Sequence, residues 1–148
     1  MADDLALAEA ERRLGQRTAD SDPPYISYFD DVELAAEIGH CFRDLGRSAE
    51  ATERGAGSIF GNGMNTRSDF FATMVQAEAY INQAEIGRGF ESALSALSLG
   101  EGLKSARCLQ YVREFQGRVT DGMRRAAEFR DFAERASGFR LWLEPGAA

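Results

Sequence analysis

The chain has 148 residues, 44% of them hydrophobic and 28% charged, with a formal net charge of −7. That composition describes a globular chain of one-domain size and excludes intrinsic disorder. No apolar run approaches the roughly 20 residues needed to cross a bilayer, so no membrane partner is expected.

The charge is unevenly placed. Residues 1–74 carry 14 acidic and 7 basic side chains, whereas residues 75–148 carry 10 of each. The first half would repel a polyanion, so direct nucleic-acid binding is not expected. The C-terminal arginines, from Arg107 to Arg140, are interleaved with acids and read as a solvated face. Two cysteines, Cys41 and Cys108, are too few for a disulfide framework and read as buried thiols of a reducing, cytoplasmic compartment.

In chain order, Leu7, Ala10 and Leu14 mark a first helix over 3–17. The stretch "ADSDPPYISY" then interrupts it, because proline constrains its own backbone and that of its predecessor. Asp30, with Glu33 three residues on, predicts the start of a second helix that runs to Leu45 and stops at Gly46. A third helix is expected over 48–60, passing into the glycine-rich "GAGSIFGNG" at 55–63. Thr66 and Asp69 form a capping box for a helix through Gln83, and Phe90, Ala93, Leu94 and Leu97 stripe another over 88–99. A sixth carries Leu109, Val112, Phe115 and Val119, and Thr120 caps a seventh with Phe129, Phe132, Ala133 and Ala136. Strand alternation is absent, so the expected class is all-α, a single domain over 1–148 with about seven helices.

A period of 38 residues runs through this pattern. Gly39, Phe42, Gly46 and Ala51 stand where Ala77, Tyr80, Ala84 and Gly89 stand one repeat later. Two helices approach closely only where a side chain without bulk faces the partner. Gly39 costs its helix about 1 kcal/mol relative to alanine, which close packing must outweigh.

"IGHCFRDLG" followed by Ala51 resembles a tetratricopeptide repeat, and "AEAYINQA" followed by Ala93 and Ala96 resembles a second copy. "DPPYISYFDDVELAAEIGHCFRDLGRSAEA" is similar to the C-terminal regions of actinobacterial helix-turn-helix transcriptional regulators, as is "GLKSARCLQYVREF". The resemblance implies an α-α superhelix of antiparallel hairpins at about 30–60, 67–99 and 103–138, with a partial hairpin at 3–17. The 38-residue spacing departs from the usual 34 and puts about four extra residues near 61–66.

No constellation of catalytic type emerges. Neighbours on a helix point about 100° apart, so His40 and Cys41 cannot pair as base and nucleophile. The chain's only histidine offers no metal-ligand spacing, and "GAGSIFGNG" lacks the lysine and the preceding strand of a phosphate loop. The expectation is a non-enzymatic binding module without cofactor, taking a peptide, a protein or a small signalling molecule in a concave groove. Candidate groove residues are Tyr25, Tyr28, Glu37, His40, Arg43, Gln76 and Asn82. The aromatic body and polar tip of the tyrosines suit such recognition. The alternative is a homodimer driven by Phe139, Leu141, Trp142 and Leu143 of the last helix.

Overall fold

Alanine, leucine, glutamate and arginine dominate the helical stretches and favour that conformation. The computed structural model describes residues 2–17, 23, 31–55 and 66–142, and every regular element among them is a helix. These are α1 (Ala2–Gly15), α2 (Asp31–Asp44), α3 (Ser48–Gly55), α4 (Thr66–Asn82), α5 (Ile86–Gly100), α6 (Ala106–Arg118), α7 (Asp121–Arg124) and α8 (Ala127–Ala136). The fold is all-α. Asp30 and the outer part of the expected third helix, 56–60, lie outside the described residues.

Helix pairs α2–α3 and α4–α5 each pack as a hairpin, and α4 also touches α2, α3 and α6. Both hairpins close their first helix in the same way. Gly46, at φ +72°, donates its N–H to the Arg43 carbonyl at 2.9 Å, and Arg47 N–H reaches the Phe42 carbonyl at 2.8 Å. Thirty-eight residues later Ala84, at φ +61°, donates to Ile81 at 3.1 Å while Glu85 N–H reaches Tyr80 at 2.9 Å. This paired closure satisfies carbonyls that a helix end leaves without partners, and it needs a left-handed residue.

Four small residues of the period, Gly39, Ala51, Ala77 and Gly89, are buried, whereas Gly46 and Ala84 at the turns are exposed. Gly39 is buried, and Ala51 and Ala77 are almost wholly so. A Cβ on Gly89 would stand 2.8 Å from the Ile81 side chain and 3.2 Å from the Ala77 carbonyl, so α5 lies against α4 where only glycine fits without a shift. Gly100 serves the C-terminal segment similarly, since an added Cβ would collide with Leu141 and Phe70.

The core is one apolar cluster from Ile38 to Trp142. Its C-terminal part is aromatic: Phe90 stacks on Phe132 with centroids 4.7 Å apart, and Phe115 and Trp142 meet Phe132 edge-on. Such rings bury large areas and favour these offset and edge geometries. By contrast, among the described residues α1 adds only Leu7 to the edge of this core and is tied further by charge, through Asp4–Arg47 at 2.7 Å and Glu11–Arg54 at 2.9 Å.

Four expectations need correction. The expected seventh helix is two, giving eight among the described residues. Thr120 does cap the first of them, accepting from Met123 N–H at 3.3 Å, but Ala126 is extended and starts α8 afresh. The fifth helix begins at Ile86, not 88. Cys41 is exposed instead of buried, because its neighbours His40 and Phe42 occupy the two inward directions of that turn. Finally, Phe139, Leu141 and Trp142 lie beyond the last helix, which ends at Ala136. Leu141 and Trp142 fold back into the chain's own core, tied by Arg140, which donates to the Gly100 and Leu103 carbonyls at 3.2 and 2.7 Å.

Candidate functional site: the groove between α2 and α6

On α2, Glu37, His40, Cys41 and Asp44 recur at i, i+3, i+4 and i+7, the spacing of one helix face, with Arg43 beside them. On α6, Arg107, Gln110, Tyr111 and Glu114 repeat the same spacing. These nine residues line a single groove of about 350 Å³. Three of the seven groove candidates, Glu37, His40 and Arg43, therefore converge, and α6 supplies the opposite wall.

His40 and Tyr111 join the walls. The Tyr111 hydroxyl lies 3.2 Å from His40 Nδ1, and the two rings meet edge-on at 5.9 Å. Burial holds the His40 imidazole below its ordinary pKa, opposed by Glu37 and Asp44 and reinforced by Arg43 and Arg107. The imidazole is therefore neutral at physiological pH. Arg43 spreads over the Tyr111 ring at 4.6 Å and donates to Asp44 at 2.7 and 2.9 Å, with Glu114 3.7 Å away. Arg107 lies over Phe71 at 4.8 Å and over Tyr111 at 5.7 Å. A guanidinium held flat on aromatic faces keeps its N–H edge available while giving up little entropy on binding.

Next to this groove a charged group is sunk in the core. Glu78 of α4 has no exposed surface, and its Oε2 accepts from Arg118 Nε at 2.8 Å. Its Oε1 and the Nη1 of Arg43 are both buried without a hydrogen-bond partner among the described residues. Burial pushes the Glu78 carboxyl above its ordinary range, against the pull of Arg118 and Arg43.

The remaining candidates lie elsewhere. Gln76 lines a larger groove of about 850 Å³ between α4, α5 and the segment after α8. There Glu91 and Arg135 pair with each other at 2.8 Å, leaving a lining of serines, Thr73, Gln76, two leucines and Phe139. Size favours that groove, but the aromatic, cationic and imidazole groups converge in the smaller one, which is the better candidate. Asn82 donates to Ser48 Oγ at 3.1 Å and so bridges two helices at the hairpin ends. Tyr25 and Tyr28 lie outside the described residues.

Sequence reasoning missed the α6 wall, Arg107, Gln110, Tyr111 and Glu114. Their shared spacing was legible, but not which helix they would face. Glu78 also left a signal, a single acid within the apolar run from Phe70 to Ile81. Among the described residues no group of histidine, cysteine and acid side chains is arranged to hold a metal ion, and no helix is long and apolar enough to cross a membrane. No family model, curated protein or solved structure matches the chain.

Proposed function

We propose that the chain is a non-enzymatic, tetratricopeptide-like binding module that takes a peptide, protein or small signalling molecule in the α2–α6 groove. On this reading it is the regulatory part of a bacterial transcriptional regulator, as the resemblance in residues 22–51 implies. The observation that carries the binding role is the convergence of Glu37, His40 and Arg43 with Arg107 and Tyr111 on one groove. Two further facts support hairpin stacking. The closures at Gly46 and Ala84 repeat at 38 residues, and α4, which opens the second of these hairpins, lies against both α2 and α6. A dimer built on Leu141 and Trp142 has less support, since those side chains fill this chain's own core.

The test is a thermal-shift screen against peptides and metabolites, with amide chemical shifts mapped for each compound that raises the melting temperature. Shifts centred on Glu37, His40, Arg107 and Tyr111 are the expected result. Binders that perturb only the α4–α5–α8 groove, or a library that stabilises nothing, would overturn the assignment.

A further inference from the structure

Most of the polar groups in the α2–α6 groove are already matched to one another. Arg43 is engaged by Asp44 and Glu114, Gln110 donates to Glu114 at 2.9 Å, and His40 meets Tyr111. Among the described residues two charged groups of the lining take part in no hydrogen bond or ion pair. They are the Glu37 carboxylate and the Arg107 guanidinium. One is a cation, the other an anion. Both act on the same imidazole: the charges of Glu37 and Arg107 are each felt at His40, from α2 and α6 respectively.

That inventory constrains the ligand. A simple anion would satisfy Arg107 and meet an uncompensated Glu37, and a simple cation would do the reverse. Neutral His40 adds no third charge, only a ring nitrogen with hydrogen-bonding capacity. A molecule carrying a carboxylate and an ammonium answers both open groups at once. The volume of about 350 Å³ is near the lower end of small-molecule sites, which favours a compact ligand over a folded protein surface. Arg107 is suited to the carboxylate, since its planar fork matches two oxygens and the rings beneath hold it in place.

We infer that the α2–α6 groove is a site for a small zwitterion, a free amino acid or short unblocked peptide, with its carboxylate on Arg107 and its ammonium on Glu37. This rests on the proposed binding role of the groove and names the chemistry of its ligand.

Isothermal titration of the full chain with L-alanine, L-leucine and L-phenylalanine, and with the N-acetyl and amide forms of each, tests the inference. At least one free amino acid should bind, and both of its blocked forms should bind about ten- to a hundred-fold more weakly, the loss expected when a charge-assisted hydrogen bond is removed. Arg107→Gln and Glu37→Gln should each reproduce that loss; both positions are exposed, and an unchanged melting temperature of each variant checks that losing the Arg107 contact with Phe71 and Tyr111 has not disturbed the core. Arg107→Lys should restore only part of it. Equal binding of free and N-acetylated forms would make this an anion site and overturn the zwitterion, leaving the groove's binding role standing. Failure of all nine probes, alongside library compounds that perturb groove amides, would likewise sink the inference alone. Silence from every compound in the groove would remove both.

Discussion

Hairpins α2–α3 and α4–α5 share a backbone closure but not a way of being stable. In the first, the left-handed position is Gly46, and the second helix, α3, is short, with Ala51 buried against its partner. In the second, Ala84 takes the left-handed position, while α5 buries Phe90, Ala93, Leu94, Ala96 and Leu97. The better-packed hairpin tolerates the worse backbone. A residue with a Cβ costs roughly 1–2 kcal/mol in the left-handed region, and one well-buried aromatic outweighs that.

Equivalent positions make the contrast measurable. Phe90 and Thr52 are separated by the 38-residue period. Phe90 meets the rings of Phe115, Phe129 and Phe132, whereas Thr52 is half-buried, donates to the Ser48 carbonyl and accepts from Gln83. Phe90→Ala should cost about 3–5 kcal/mol in chemical denaturation, through lost burial and the cavity left behind. Thr52→Ala should cost about 1 kcal/mol, the net worth of a typical hydrogen bond. Similar losses at the two sites would show that the hairpins share the core evenly.

The turn residues give a smaller, paired effect of opposite sign. A Cβ added at Gly46 meets nothing within 4 Å, so Gly46→Ala reads backbone strain without a packing clash. Relief or imposition of that strain is partly offset by the unfolded-state entropy of glycine. Gly46→Ala should therefore destabilise by about 0.5–1 kcal/mol, and Ala84→Gly should stabilise by about as much. If Ala84→Gly fails to stabilise, the two closures are not energetically equivalent and the repeat is one of shape alone.

This local chemistry explains what the sequence revealed. Gly46 and Ala84 were legible because a helix end is settled by a few consecutive residues, and the Thr120 cap was legible for the same reason. The break at Ala126 was not, since nothing in "RRAAEF" interrupts a helix by propensity and the kink follows from how α8 docks on α5. Half the site lay beyond reach for a related reason. His40 and Arg43 announced themselves as polar residues near a packing face, but Tyr111 stands 71 positions away. Its pairing with His40 depends on α4 holding α2 and α6 apart at the right distance, which no periodicity encodes. Gln76 and Asn82 share α4 with Glu78, yet each points to a different neighbour.

The smallest expected effect separates the two titrating groups at this junction. A histidine in the unfolded chain takes up its proton near pH 6.5. Folded His40 resists protonation because burial lowers its pKa, so just below 6.5 the unfolded state binds more protons and stability falls as the pH falls. Glu78 works in the opposite direction. Its folded carboxyl titrates above the ordinary 4.5, so it contributes stability at low pH that is lost as the pH rises through its folded value. Denaturation midpoints measured between pH 7 and 5.5 should therefore fall slightly toward acid in the parent chain. His40→Asn, whose Oδ1 stands near the lost Nδ1 and can still meet the Tyr111 hydroxyl, should remove that fall. A parent whose stability instead rises over this range would mean that Glu78, and not His40, governs the charge state of the groove.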